Sequence, residues 1–222
     1  MSTLVDLSIR PARWQPVGVR WSPIVELRQY ALHRGQRDVL IDLFDRELVE
    51  TQEDVGMKVI GQFRELDDPD RFVWIRGFPD MESRAQSLAA FYGGPVWKAH
   101  SAAANATMID SDNVLLLRPA RDGSAFALNG ERGARRGFVL AVVMPLELAS
   151  SIDDGGLPLG AFVTEESENT FPSLPVREGE RVFVSFAGFA DRDGLDRAAE
   201  RHADRAAEVL RLEPTSRSLL GA

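Results

Sequence analysis

The stretch Phe72-Val73-Trp74-Ile75-Arg76-Gly77-Phe78-Pro79-Asp80 decides the fold. Its first seven residues, rich in aromatic and β-branched side chains, read as a strand that Pro79-Asp80 ends. Asp80 stands where a carboxylate caps a following helix by accepting its free N–H groups. The pattern returns 111 residues on as Phe183-Val184-Ser185-Phe186-Ala187-Gly188-Phe189-Ala190-Asp191, with five of nine positions identical. A fixed-offset match across a strand and a helix start points to one module used twice.

Outward from that strand, the first half reads as β-α-β-β-α-β. Ile24 to Tyr30 is a strand. Gln36 to Val55 is a helix, because Val39, Leu40, Leu43, Phe44, Leu48 and Val55 form an apolar stripe at three- and four-residue spacing. Its other face, with Asp38, Asp42, Asp45, Glu50 and Glu53, is a solvated face rather than a metal site. Met57 to Leu66 and Arg71 to Phe78 make a hairpin across Asp67-Asp68-Pro69-Asp70. Asp80 to Tyr92 is helical, Gly93-Gly94 breaks it, Pro95 restarts it at the first helical position, and Asn113 to Arg118 is the last strand. This is the order of the split βαβ, or ferredoxin-like, unit.

The second half reads as a trimmed version. Phe138 to Met144, Leu159 to Glu165 and Arg181 to Phe189 are strands, with room for only a short helix between Pro145 and Leu157. Asp191 to Leu210 is a long helix, and a last strand lies near Ser216 to Leu220. Ser167 to Gly179 is an irregular insert whose Pro172 and Pro175 make it an extended lip. The expected fold class is α+β, two tandem ferredoxin-like β-α-β-β-α-β units. Residues 1–22 read as an N-terminal arm anchored by Trp14 and Trp21, 23–118 as the first domain and 137–222 as the second. Residues 119–136, rich in Gly and Arg without an apolar period, read as a solvated linker.

The 222 residues carry 26 Lys and Arg against 34 Asp and Glu, a net charge of −8, with 44% hydrophobic residues and no cysteine. A chain of this length buries roughly 70% of its unfolded surface, so a large core is expected. Without cysteine there is no disulfide scaffold, thiolate nucleophile or iron–sulfur cluster. The acidic balance argues against a nucleic-acid partner. No apolar run approaches the roughly 20 residues of a membrane span, and the first residues hold no signal-peptide stretch, so no membrane partner and a cytoplasmic location are expected. No P-loop, G-x-G-x-x-G or G-x-S-x-G occurs, and His33, His100 and His202 are too scattered for zinc. No cofactor and no metal are expected.

Glu26-Leu27-Arg28-Gln29-Tyr30, Gly35 and the helix through Leu43-Phe44 resemble the start of a NIPSNAP domain. Gly61-Gln62-Phe63-Arg64, Trp74-Ile75-Arg76-Gly77-Phe78, Pro95-Val96-Trp97-Lys98 and Leu115-Leu116-Leu117-Arg118-Pro119 extend the resemblance over about residues 23–119. The second half is similar, more loosely, to the same superfamily, the dimeric α/β barrels. The resemblance implies two ferredoxin-like sheets meeting face to face, from tandem halves or from two chains of a homo-oligomer.

Strand alternation puts Glu26, Arg28 and Tyr30 on one face of the first strand, Trp74 and Arg76 on one face of the third, and Gln62 and Arg64 on one face of the second. If helices cover the apolar faces, these residues point into the barrel lumen and line a small hydrogen-bonding pocket. The opposing reading is a self-satisfied network, with Glu26 paired to Arg28 or Arg64. Trp74 and Arg76 become Ser185 and Ala187 in the second half, so the site should be lopsided. Trp97 and His100, three apart, share a helix face.

Three functions follow. The first is a small apolar or aromatic ligand in the lumen, oxidised as by the cofactor-independent, quinone-forming monooxygenases that the resemblance brings in. Arg28, Arg64 or Arg76 would then stabilise developing negative charge, and His100 or Glu26 would be the base. The second is a non-catalytic binding or interaction protein, motivated by the lack of a complete catalytic constellation. The third is haem binding through His100, since some haem-degrading relatives carry a ligating histidine on this helix.

Overall fold

A computed structural model of the protein describes residues 22–128, 131–133, 137–149 and 154–221. The expected arm therefore lies outside the described residues, Ser22 apart. The strands are β1 (Ile24–Leu32), β2 (Lys58–Glu65), β3 (Arg71–Phe78), β4 (Met108–Pro119), β5 (Phe138–Pro145), β6 (Leu157–Thr164), β7 (Val182–Phe189) and β8 (Glu208–Pro214). The first crossover is α1 (Arg37–Leu43) and α2 (Val49–Asp54), joined by a π-helical turn over Phe44–Leu48; α3 (Met81–Gly93) and α4 (Pro95–Asn105) form the second, and α5 (Arg192–His202) serves the second half. Asp80 and Asp191 cap α3 and α5 as expected, accepting from the N–H of Ser83 at 2.7 Å and of Gly194 at 2.8 Å.

The eight strands close into one antiparallel barrel in the order β1-β3-β2-β8-β5-β7-β6-β4, with β4 returning to β1. Each half holds four neighbouring strands in the same relative order, the fourth and third flanking the first. The halves join where β2 meets β8 (Phe63↔Pro214, Arg64↔Glu213, Glu65↔Leu212) and where β4 meets β6 (Leu117↔Thr164, Arg118↔Val163, Pro119↔Phe162). The barrel thus closes within a single chain and needs no second copy for closure.

Several boundaries differ from the sequence reading: β4 begins at Met108 rather than Asn113, and the largest shifts are at the C-terminal end. The final helix stops at His202, and the last strand is Glu208–Pro214, not Ser216–Leu220. Leu195, Ala198, Ala199, Ala206 and Val209 continue a helical period past the helix end, but sheet closure claims 208–214 as the strand between β5 and β2. In the stretch 119–136, Phe126 is not solvated: its ring is buried in the barrel, 4.6 Å from Phe162 and 5.0 Å from Phe186.

The larger correction concerns the lumen. It is filled by Val25, Leu27, Phe63, Val73, Ile75, Leu115, Val139, Ala141, Phe162, Val184, Phe186 and Leu212, drawn from all eight strands with their neighbours. Glu26, Arg28, Tyr30, Gln62, Trp74 and Arg76 face the other way, beneath α1 to α4. The physical reason is pairing. Both faces of these strands are buried, but along the body of the barrel β5 and β7 bring only apolar side chains to the interior, so a charged face turned inward there would meet no counter-charge.

Polar groups do reach the inner face, at one end of the barrel. Gln29 Nε2 donates to Glu208 at 2.6 Å, Arg71 Nε lies 3.1 Å from Glu65, and Arg177 bridges Asn113 and Glu208. Burial lifts the Glu65 carboxyl to about 7, against the pull of Arg71 and with Asp68 and Asp67 adding to the rise. A carboxyl whose folded pKa is raised costs stability once ionised, a cost fully present above pH 7 and gone below about pH 4.5. Glu65→Gln is therefore expected to stabilise the protein by about 1–2 kcal/mol at pH 8, after screening at the open end, and to leave it unchanged near pH 4.5. Urea midpoints at the two pH values check this; equal shifts at both would refute it.

Candidate functional site

The outer face of the first sheet carries a buried charge cluster. Register sets it: Glu26 on β1 lies opposite Arg76 on β3, and Arg28 opposite Trp74. Glu26 Oε2 accepts from Arg28 Nη1 at 2.7 Å and from Arg76 Nε at 2.8 Å. Its other oxygen accepts from Arg84 Nε at 2.7 Å. All four residues are at most 1% exposed. Arg84 was missed by the strand reading because it comes from α3. The available signal was its register on that helix, where Arg84, Ser87, Leu88 and Phe91 form the buried face.

Aromatic rings surround the guanidiniums. Arg28 lies over the rings of Tyr30 and Trp74, and Arg76 over those of Trp74, Phe78 and Tyr92, all within 6 Å of the ring centroids. Arg28 Nε also donates to the Tyr30 hydroxyl at 3.0 Å, and Arg76 Nη1 reaches Gln52 Oε1 at 3.3 Å. Beside them is a cavity of about 20 Å³, lined by Tyr30, Phe44, Gln52, Trp74, Tyr92 and Trp97 among others. That is room for one water molecule. The Trp74 indole N–H is buried without a partner.

The electrostatics fix protonation states. Burial pushes the Glu26 carboxyl up, but Arg76, Arg28 and Arg84 together outweigh it and hold the group well below the ordinary carboxylate range. Glu26 is thus a permanent anion with both oxygens occupied, a counter-ion rather than the general base it was expected to be. Burial raises the Tyr30 phenol despite the adjacent Arg28, so it stays protonated.

The structure brings together Glu26, Arg28, Tyr30, Trp74, Arg76 and Trp97 from the expected set. Gln62 shares the face but reaches Asp45 at 3.4 Å, away from the cluster. Arg64 is part-exposed and paired with Asp38 at 2.7 Å rather than with Glu26. His100 is part-buried between α4 and the π-helical turn, 3.6 Å from Glu47, and is not among the cavity-lining residues. Its expected role as base at this cavity therefore has no geometry. Among the described residues no group of three or more His, Cys, Asp or Glu could hold a metal, and no helix is long and apolar enough to cross a membrane.

Two four-stranded sheets closed into one eight-stranded antiparallel barrel, with helices outside, define an α+β barrel architecture. Residues 25–123, somewhat under half of the chain, match the NIPSNAP family. Among solved structures the chain is similar to a NIPSNAP family protein of unknown function from Agrobacterium tumefaciens, at 22% identity over 45% of this chain and 89% of that one, TM-score 0.41. It is similar also to a NIPSNAP-like domain protein from Burkholderia xenovorans, at 26% identity over 45% and 86%, TM-score 0.41. The whole barrel is similar in fold to a candidate monooxygenase from Fusobacterium nucleatum, at 9% identity over 92% of this chain and 98% of that one, TM-score 0.53. Comparison with curated proteins returns no match.

Proposed function

We propose that this protein binds a small aromatic molecule between the outer face of its N-terminal sheet and the helices, not in the barrel lumen. The observation that carries this is the convergence of Tyr30, Phe44, Trp74, Tyr92 and Trp97 on one cavity whose edge is formed by partners of Arg28 and Arg76. Flat rings offer stacking surface, and guanidiniums offer charge to an oxygen on the ligand. The cavity has space for only one water, so binding requires it to widen.

Binding without turnover is favoured by the pinned state of Glu26, which leaves no free carboxylate base in the cluster. Cofactor-independent oxidation is favoured by the guanidiniums, which would stabilise a substrate carbanion or phenolate as it meets oxygen. With an anthrone a ring methylene and O2 give a ring ketone and water, and with a hydroquinone the diol and O2 give the quinone and hydrogen peroxide, so oxygen consumption is the readout of both. Protein incubated with anthrone-type compounds and hydroquinones in an oxygen electrode separates the two. Uptake above buffer that falls in Arg76→Met supports oxidation. Ligand-induced quenching of tryptophan fluorescence without uptake supports binding alone, and no quenching and no uptake across the panel defeats both.

A further inference from the structure

The buried cluster is not electrically balanced. Arg28, Arg76 and Arg84 are each in ion-pair contact with Glu26, and among the described residues no second carboxylate contacts any of them. Two positive charges are thus left in a buried site, where charge ordinarily comes paired. Arg76 Nη2 and Arg84 Nη2 are buried without a hydrogen-bond partner. Arg84 Nη1 is met only by neutral oxygens, Asn169 Oδ1 at 3.0 Å and Thr170 Oγ1 at 3.2 Å.

Those two oxygens come from the other half of the molecule. Asn169 and Thr170 lie in the proline-bearing insert between β6 and β7. Next to them Phe171 stacks on Tyr92, a ring that lines the aromatic cavity, with centroids 5.9 Å apart. A crevice of about 440 Å³ lies beneath the insert, between it and Leu116 and Thr164, which gives the segment space to move without disturbing the barrel. The crevice is lined by Glu165, Glu166, Glu168, Glu178 and Glu180 against Arg177 and Arg181, a net negative lining that does not itself seat an anion.

We infer that the Arg84 corner is a carboxylate subsite and that the insert is its lid. The ligand is a small aromatic carboxylate whose charged group replaces Asn169 and Thr170 on Arg84 while its ring takes the place of Phe171 against Tyr92. A guanidinium offers two parallel N–H groups that match the two carboxylate oxygens, so the exchange satisfies the idle Nη2 and supplies a missing negative charge. This inference rests on the aromatic pocket proposed above and adds the charge of its occupant.

Benzoate and benzamide have nearly the same shape and differ in charge, so titrating each into the full-length protein, followed by calorimetry, tests it. Benzoate is expected to bind about tenfold or more tighter than benzamide, the worth of one charged hydrogen bond, and Arg84→Gln should abolish the difference while benzamide still binds. If circular dichroism shows Arg84→Gln unfolded, Asn169→Ala/Thr170→Val answers instead. Removing the competing oxygens should tighten benzoate severalfold and leave benzamide unchanged. Equal affinity for the two probes, or tightening of neither by the lid variant, overturns the subsite but leaves the aromatic pocket standing. Failure of both probes to bind overturns the aromatic pocket itself.

Discussion

Glu26→Gln is expected to cost about 3–5 kcal/mol of folding stability, because it leaves three buried guanidiniums without a counter-ion. Against a typical total of about 5–15 kcal/mol, that is enough to leave a large unfolded fraction in mild denaturant. The exposed pair offers the control. Asp38, 2.7 Å from Arg64, is itself largely in solvent, so Asp38→Asn should cost at most about 1 kcal/mol. Urea denaturation of the two variants makes the comparison; similar losses would mean that water reaches the Glu26 cluster. The pH dependence gives a second reading. Because the arginines hold the folded pKa of Glu26 below its ordinary value of 4.5, its contribution is fully present above that pH and is lost as pH falls further. The gap between wild type and Glu26→Gln should therefore be constant from pH 8 to about pH 5 and close below it. A gap that grew on acidification would contradict the assigned charge state.

The same cluster shows what the sequence could and could not reveal. The strands of the first half were legible because their alternation is clear, and the Asp80 and Asp191 caps because a carboxylate at that position has a specific use. Which side of β1 faced the lumen was not legible from burial, since Glu26 and Leu27 are both fully buried. The deciding fact lies elsewhere in the chain. Val139, Ala141 and Val143 on β5, with Val184 and Phe186 on β7, bring only apolar groups to the interior, so charges on the first sheet had to turn outward to find partners. That partner set includes Arg84, readable from its place on the buried face of α3, where it precedes Leu88 and Phe91 by four and seven residues. Asn169 and Thr170 were beyond reach: they meet Arg84 only because the closed barrel carries the insert of one half onto the helices of the other.

Phe162→Ala is the second large effect, expected to cost about 3–5 kcal/mol, and it tests the filled lumen directly. Phe162 is fully buried, with the Phe126 ring 4.6 Å away and the Phe186 ring 5.9 Å away. It also sits opposite Pro119 at the β4–β6 junction, one of the two short seams that close the barrel between the halves. Truncation removes apolar burial and leaves a hole that these neighbours are too constrained to fill, because each strand is held on both sides. A hole lined by Phe126, Phe186 and aliphatic side chains stays dry, so it should admit a small apolar guest. Benzene is therefore expected to raise the melting temperature of Phe162→Ala in a concentration-dependent way and to have no comparable effect through this site in the wild type. A polar, hydrated lumen would instead tolerate the substitution at below about 1.5 kcal/mol and give no benzene rescue, since water would already occupy the space and the ring would have had less burial to lose.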